Sequence, residues 1–156
     1  MLRRTALAAL IALAGCGPTL DFTLPDLDGN EVTPLRQGDA VVVAFWATWC
    51  GPCRRELEEM NEMYARLHPR GLELYAVSVD GPGTIDEVEA WATKHAYTFP
   101  VLLDGRGLVN SYSARGTIPY LRVCDAEGQL IQERTGYQPD GVMALEAYLD
   151  ARLPPE

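Results

Sequence analysis

The sequence is poor in basic residues and in cysteine. It has 13 lysines and arginines against 22 aspartates and glutamates, which gives a formal net charge of -9. No run of basic residues offers a footprint for phosphates, so DNA and RNA are not expected as partners. Four cysteines stand in 156 residues, a length that can bury a core without disulfide crosslinks. The cysteines therefore need an explanation other than stability.

A long hydrophobic run is also missing. Arg3 and Arg4 precede an apolar stretch at residues 6–14, which is too short to anchor the chain across a bilayer. A short positive segment followed by a short apolar one is typical of an export signal. We therefore expect the chain to leave the cytoplasm.

The end of this segment carries a more specific pattern. Residues 13–16, Leu-Ala-Gly-Cys, resemble the lipobox of bacterial lipoproteins. The resemblance implies that Cys16 becomes a lipidated first residue, which would hold the protein at a membrane surface. Gly17 then favours the outer membrane in the sorting pattern of such lipoproteins. A plain secretory signal cleaved nearby is the alternative, and both place the protein on the periplasmic side of the cell envelope.

These patterns divide the chain into three parts. Residues 1–15 are predicted to be the signal peptide and residues 16–20 a lipidated tether. Residues 21–153 form one domain, because the chain is too short for two domains of ordinary size.

The domain alternates strand and helix patterns. Runs of β-branched and aromatic residues are typical of buried strands, and apolar residues at helical spacing indicate helices. Two strands separated by a helix imply a parallel crossover, and a later hairpin adds antiparallel strands. The predicted fold is α/β, with a central mixed sheet flanked by helices and an N-terminal hairpin extension. The hairpin is expected within residues 21–39, strands at 40–47, 72–80, 120–125 and 129–135, and a short extended piece at 99–103. Helices are expected from just after Cys50 to about 68, and at 84–95, 108–114 and 140–153.

Two helix starts carry local signals. Pro52 would lie in the first turn of its helix, where a missing backbone N–H costs nothing. Thr84, followed three residues later by Glu87, matches a capping box.

The most specific feature is the run Trp49-Cys50-Gly51-Pro52-Cys53 at the start of a predicted helix. Unpaired N–H groups and the helix dipole stabilise an anion at that end, which favours the thiolate of Cys50. The thiolate attacks disulfides, so Cys50 is the predicted nucleophile. Cys53, one turn further, is predicted to be more buried and to resolve the mixed disulfide.

Two other uses of this pair were weighed. A structural disulfide would close a very small loop and add little stability in the entropic model. A zinc half-site needs two more ligands, from His68, His95, Cys124 or carboxylates, and the sequence has no second Cys-x-x-Cys or His pair. The redox use is favoured, with no metal or other cofactor expected. Cys124 is expected to be a small buried hydrophobe.

Residues 45–53, Phe-Trp-Ala-Thr-Trp-Cys-Gly-Pro-Cys, resemble the active-site segment of thioredoxins. The layout of the domain resembles the membrane-tethered, extracytoplasmic branch known as TlpA-like or ResA-like proteins. Its other marks are residues 22–29, Phe-Thr-Leu-Pro-Asp-Leu-Asp-Gly, together with Phe99-Pro100 and the run 117–119. The resemblance implies a thioredoxin fold. Peroxiredoxins share the opening segment.

The resemblance also assigns residues to the site. It implies a cis bond between Ile118 and Pro119, facing the two sulfurs, at which the Ile118 backbone would pair with a substrate polypeptide. Trp49 would form an apolar rim for the substrate.

One position departs from the thioredoxin pattern. Thioredoxins carry a buried aspartate where this chain has Ala44, and that acid moves protons to and from the second cysteine. The ResA-like branch uses a carboxylate near the end of the next strand, for which Asp80 is the nearest candidate. Asp80 is therefore predicted to be the proton carrier, the alternative being that it merely closes a strand.

The expected activity is that of a protein-disulfide reductase acting on exported proteins. The Gly-Pro dipeptide matches thioredoxin, whose potential is low, about -270 mV. A membrane electron donor of the thiol type would restore the dithiol, and the branch implies apocytochrome c as one substrate.

Two other functions were considered. A peroxiredoxin-like peroxidase needs Thr-x-x-Cys, whereas Thr48 stands only two residues before Cys50. A non-enzymatic metal-binding module would use the two thiolates as ligands.

Overall fold

The computed structural model describes residues 20–34 and 38–155. The predicted signal peptide, the lipidation site Cys16 and tether residues 16–19 lie outside the described residues. The strands are β1 Leu24–Pro25, β2 Glu31–Val32, β3 Ala40–Trp46, β4 Leu72–Ser78, β5 Val101–Leu103, β6 Tyr120–Asp125 and β7 Leu130–Thr135. The α-helices are α1 Gly51–Leu67, α2 Ile85–Lys94, α3 Val109–Tyr112 and α4 Gly141–Asp150, and short 3-10 turns cover His68–Arg70, Pro82–Thr84 and Ala114–Gly116.

Five strands form one mixed sheet in the order β5-β4-β3-β6-β7, and β1 pairs with β2 in a separate hairpin. The β3–β4 and β4–β5 pairs are parallel, whereas β3–β6 and β6–β7 are antiparallel. This confirms the predicted crossover, the late hairpin and the N-terminal extension.

Side chains of the central strand β3 alternate between two cores, as the two-residue period of a strand requires. Val42, Ala44 and Trp46 face one core, which is covered by α1, α2 and α4. Val43 and Phe45 face the other, which is covered by α3 and the segment before β1. Because both faces are covered, the strand reads as a continuous apolar run.

The segment before β1 is part of the second core. Leu20 is 2% exposed and packs in the same cluster as Phe22. The packed domain therefore includes Leu20, a residue predicted to belong to the tether.

Helix α1 buries one stripe of apolar residues at helical spacing. Its buried residues include Leu57, Met60, Tyr64 and Leu67. After the 3-10 turn the chain reverses at Gly71, whose φ of 96° lies in the left-handed region that glycine adopts without steric cost.

The capping-box prediction at Thr84 is wrong. Thr84 precedes α2, but its side chain makes no bond to the helix. Its hydroxyl instead donates to the Gly81 carbonyl at 2.8 Å, because a 3-10 turn comes before the helix and takes up the side chain.

The strand predicted to reach Asp80 ends at Ser78. Within the part of the chain that the structure describes, no helix is both long and apolar enough to cross a membrane.

Helix α4 offers a matched pair of apolar residues for testing this core. Leu145 is 1% exposed, whereas Met143, two residues earlier, is 66% exposed. We expect Leu145→Ala to lower the free energy of unfolding by about 2–5 kcal/mol, because it leaves a cavity. Met143→Ala should change it by less than about 0.5 kcal/mol. Urea denaturation of the oxidised proteins measures both, and equal losses would contradict this account of the core.

Candidate active site

The two cysteines lie where β3 gives way to α1. The chain turns after β3, and the Cys50 N–H donates to the Ala47 carbonyl at 3.1 Å. Cys50 is the N-cap of α1, and its Sγ accepts the N–H of Cys53 at 3.3 Å. Cys50 and Cys53 form a disulfide. A sulfur at this position receives one of the N–H groups that a helix leaves unpaired at its start.

The two sulfur-bearing residues differ in access to solvent. Cys50 is 8% exposed and Cys53 is 1% exposed. This confirms the prediction that Cys53 is the more buried of the two.

The register of β3 with β6 brings Pro119, which precedes β6, to the end of the sheet where the cysteines lie. Phe45 pairs with Tyr120 in the antiparallel ladder. One residue further along the same register, Pro119 lies beside Trp46. Trp46 stands four residues before the nucleophile. The Ile118–Pro119 peptide bond is cis, as the resemblance implied. Ile118 is half-buried, and Trp49 is 70% exposed.

Asp80 is bound to the loop that leads to Cys50. Its Oδ2 accepts the backbone N–H of Thr48 at 2.9 Å, and its Oδ1 accepts the Thr48 hydroxyl at 2.5 Å. Oδ2 also accepts the Ser78 hydroxyl at 2.8 Å. The carboxylate therefore ties the end of β4 to the loop after β3.

A second carboxylate lies behind the cysteines and was missed in the sequence. Glu56 is 3% exposed and stands three residues after Cys53, so both lie on the buried face of α1. Its Oε1 accepts from Nη2 of Arg134, a buried residue of β7, at 2.5 Å. Gly141, at the start of α4, makes room for this pair, because a Cβ there would lie 2.5 Å from Arg134 Nη1.

The environment of Glu56 makes it a stronger base than an exposed carboxylate. Burial raises the pKa of Glu56, and the nearby Arg134 guanidinium offsets that effect only in part. A carboxyl group whose pKa is raised toward that of a thiol is suited to exchanging protons with one. The signal in the sequence was an acidic residue in phase with the buried stripe of α1.

The candidate zinc ligands do not gather around the cysteines. His68 stacks on Tyr64 and its Nδ1 is 3.0 Å from the Leu72 carbonyl oxygen, whereas His95 stacks on Trp91. Cys124 is buried in β6, opposite Val41. Over residues 20–34 and 38–155, no three His, Cys, Asp or Glu side chains are grouped to hold a metal ion.

Comparison with known proteins agrees with this geometry. The model of the AhpC/TSA family matches residues 17–133. The thiol-disulfide oxidoreductase ResA of Geobacillus thermodenitrificans is 36% identical over 128 residues, which cover 81% of this chain and 71% of that protein. ResA of Geobacillus kaustophilus is 37% identical over 129 residues, with the same coverage.

Solved structures share the fold. A Chlorobium tepidum protein assigned as the thiol:disulfide interchange protein DsbE superposes with a TM-score of 0.74 at 27% identity, covering 89% of this chain and 98% of that one. A thioredoxin-like protein from Porphyromonas gingivalis gives 0.72 at 27% identity, covering 88% and 91%. The central sheet, the helix that starts at the disulfide and these likenesses confirm the thioredoxin fold.

A cysteine pair at the start of a helix, one sulfur outermost, is an arrangement that favours thiol–disulfide exchange. The chain belongs to the AhpC/TSA family and is a thiol–disulfide oxidoreductase of the ResA type.

Proposed function

We propose that this protein reduces disulfide bonds of exported proteins, with Cys50 as the nucleophile and Cys53 as the resolving residue. The proposal rests on the position of Cys50 at the amino end of α1, where its Sγ accepts the Cys53 N–H. The resemblance to extracytoplasmic proteins and the N-terminal export pattern support the choice of exported substrates.

The reaction begins from the reduced dithiol. The Cys50 thiolate attacks one sulfur of a substrate disulfide, forming a mixed disulfide and releasing the other substrate sulfur as a thiolate. Cys53 then loses its proton and attacks Cys50 Sγ, which forms the Cys50–Cys53 disulfide and frees the second substrate sulfur. The substrate gains two electrons and the protein loses two. A dithiol donor at the membrane restores the reduced pair.

The second step needs a base for the Cys53 proton. Glu56 is one turn from Cys53 on the same buried face, and its pKa is raised by burial. We assign the proton to Glu56. Asp80, the acid predicted from the sequence, has both carboxylate oxygens engaged by Thr48 and Ser78, which supports a positioning role for it.

Substrate contact falls to the surface around Cys50. Trp49 is largely exposed beside the nucleophile, and Ile118 lies at the same end of the sheet. An exposed indole buries apolar area against a visiting chain. The backbone of Ile118 offers groups with which an extended segment can pair.

The N-terminal pattern supports a place in the cell envelope, and the resemblance to the ResA-like branch supports a substrate. Lipidation at Cys16 would hold the domain at the periplasmic face of a membrane, with the outer membrane favoured by Gly17. Apocytochrome c, whose cysteines must be reduced before haem attachment, is one exported substrate that the ResA-like branch implies.

The alternatives have less support. A peroxidase would need a threonine hydroxyl directed at the nucleophile, and the Thr48 hydroxyl donates to Asp80. A metal-binding module lacks a third ligand near the cysteines among the described residues.

The order of attack predicts which variant traps substrate. Cys53→Ala should accumulate mixed disulfides through Cys50, because the resolving sulfur is gone. Cys50→Ala should trap none and should lose insulin-reductase activity. Non-reducing purification from the native host, followed by mass spectrometry, identifies the captured proteins.

The captured set distinguishes the substrates. Enrichment of cytochrome c precursors supports apocytochrome c, and a broad set of exported proteins supports general reduction. Equal capture by the two variants contradicts the assigned order of attack. If wild-type protein consumes peroxide without added thioredoxin, the peroxidase function replaces this one.

The proton assignment predicts a difference between two carboxylates. Glu56→Gln should slow release of substrate from the mixed disulfide by at least about 10-fold, since general-base assistance is lost, while the first attack stays near wild type. Asp80→Asn should slow the first attack, because the loop holding Cys50 loses its anchor. Stopped-flow measurement of each step with a model disulfide separates these effects.

Arg134→Met is the control for the buried ion pair. It removes the pair but keeps the Glu56 carboxylate, so release should remain faster than in Glu56→Gln. Breaking a buried pair destabilises a fold by about 3–5 kcal/mol, so each variant is assayed below its measured Tm. Equally slow release in both variants would show that the ion pair matters and the carboxylate does not.

A further inference from the structure

A guanidinium group is folded back toward the active-site end of α1. Arg54 directly follows Cys53, and its Cζ lies 4.5 Å from the centroid of the Trp91 ring. Its Nη2 lies 4.0 Å from the position that a Cβ on Gly51 would occupy. Gly51 is the covalent neighbour of Cys50, so the guanidinium lies at the end of α1 that carries the nucleophile.

This position is unfavourable for the helix alone. The first turn of α1 carries no acidic residue, although acidic residues are the ones that the dipole favours there. Arg54 and Arg55 instead add positive charge to the positive end of the helix. The same charges stabilise an anion placed on the N-cap, which is the site of Cys50.

Trp91 holds the Arg54 side chain in place. A guanidinium over an indole face gains a cation–π attraction. The indole is fixed in turn, because its Nε1 donates to the Tyr97 hydroxyl at 3.0 Å. Asn61 ties the segment after α2 to α1, since it donates to the Ala96 carbonyl and accepts the Thr98 N–H.

Other charged and titratable groups lie near Trp91 and near the cysteines. Near Trp91, Lys94 lies 5.3 Å from the ring centroid, and His95 stacks on the ring while its Nδ1 is 3.4 Å from Glu58. Burial raises the pKa of Tyr97 to about 12, so its hydroxyl is neutral at ordinary pH. Around the cysteines the carboxylates are Glu56, paired with Arg134, and Asp80, bound to Thr48.

We propose that Arg54, held against Trp91, is a positioning residue that stabilises the Cys50 thiolate and so raises the reactive fraction of the nucleophile. The inference rests on the proposed role of Cys50. Arg54 takes no part in bond making, and it acts by its charge at the amino end of α1. In a largely aqueous medium, a unit charge in the first turns of the helix shifts the pKa of such a thiol by about half a unit.

Arg55 provides the matched control. It is the next residue of the same helix, carries the same charge and is exposed, whereas Arg54 is half-buried. We expect Arg54→Met to raise the pKa of the Cys50 thiol by about 0.5 unit and Arg55→Met to raise it by clearly less. The pKa is measured in the reduced protein from the pH dependence of Cys50 alkylation by iodoacetamide, read by peptide mass spectrometry.

Two further measurements test how Arg54 is held and how it acts. Trp91→Leu keeps the charge but removes the ring, so it should raise the pKa of the Cys50 thiol partway toward the Arg54→Met value. In 1 M salt the difference between Arg54→Met and wild type should shrink, because the charge is screened. Thermal unfolding confirms that each variant is folded.

The outcomes separate this inference from the proposed function. Equal pKa shifts in Arg54→Met and Arg55→Met, or no shift in Arg54→Met, overturn the role of Arg54. An unchanged pKa in Trp91→Leu overturns the role of the ring. If wild-type Cys50 ionises like free cysteine and insulin is not reduced, the proposed function itself fails.

Discussion

The amino end of α1 and the sulfur of Cys50 form the contact on which the rest of the site depends. A helix leaves its first N–H groups without partners, and here one of them, from Cys53, points at Cys50 Sγ. The same geometry places Cys53 one turn inside the helix, where it is almost fully buried. One helix start therefore produces both the accessible sulfur and its shielded partner.

The sheet fixes this helix start relative to the surface that a substrate meets. Strand β3 is buried on both faces and paired on both edges, so its end is a rigid support for the loop that precedes Cys50. Asp80 holds that loop from the β4 side through Thr48. The β6 side carries Ile118 and Pro119. The nucleophile is thus placed by neighbours on both edges of one strand.

A buried ion pair lies on the side of α1 that also buries Cys53. The Glu56–Arg134 pair joins α1 to β7, and Gly141 leaves space for the guanidinium. Such a pair seldom adds net stability over apolar residues of similar size. In the proposed mechanism it holds an ionisable oxygen on the same buried face of α1 as Cys53, which must give up a proton. Arg54 and Trp91 play the complementary part outside, where a cation adds to the field of the helix.

The sequence by itself determined the order and type of the elements, since runs of β-branched residues and the 3.6-residue period of apolar side chains are local properties. It also determined the cysteine pair, because its chemistry lies within one turn of helix. The tertiary structure alone decided which side chains, distant in sequence, lie around that turn of helix. Asp80 was singled out in the sequence, but its partner Thr48 depends on the pairing of β3 with β4. Glu56 was overlooked because its burial and its partner on β7 arise only when α1 packs on the sheet. The stacking of Arg54 on Trp91, a residue of another helix, has the same origin, since side-chain contacts between elements depend on packing and not on spacing along the chain.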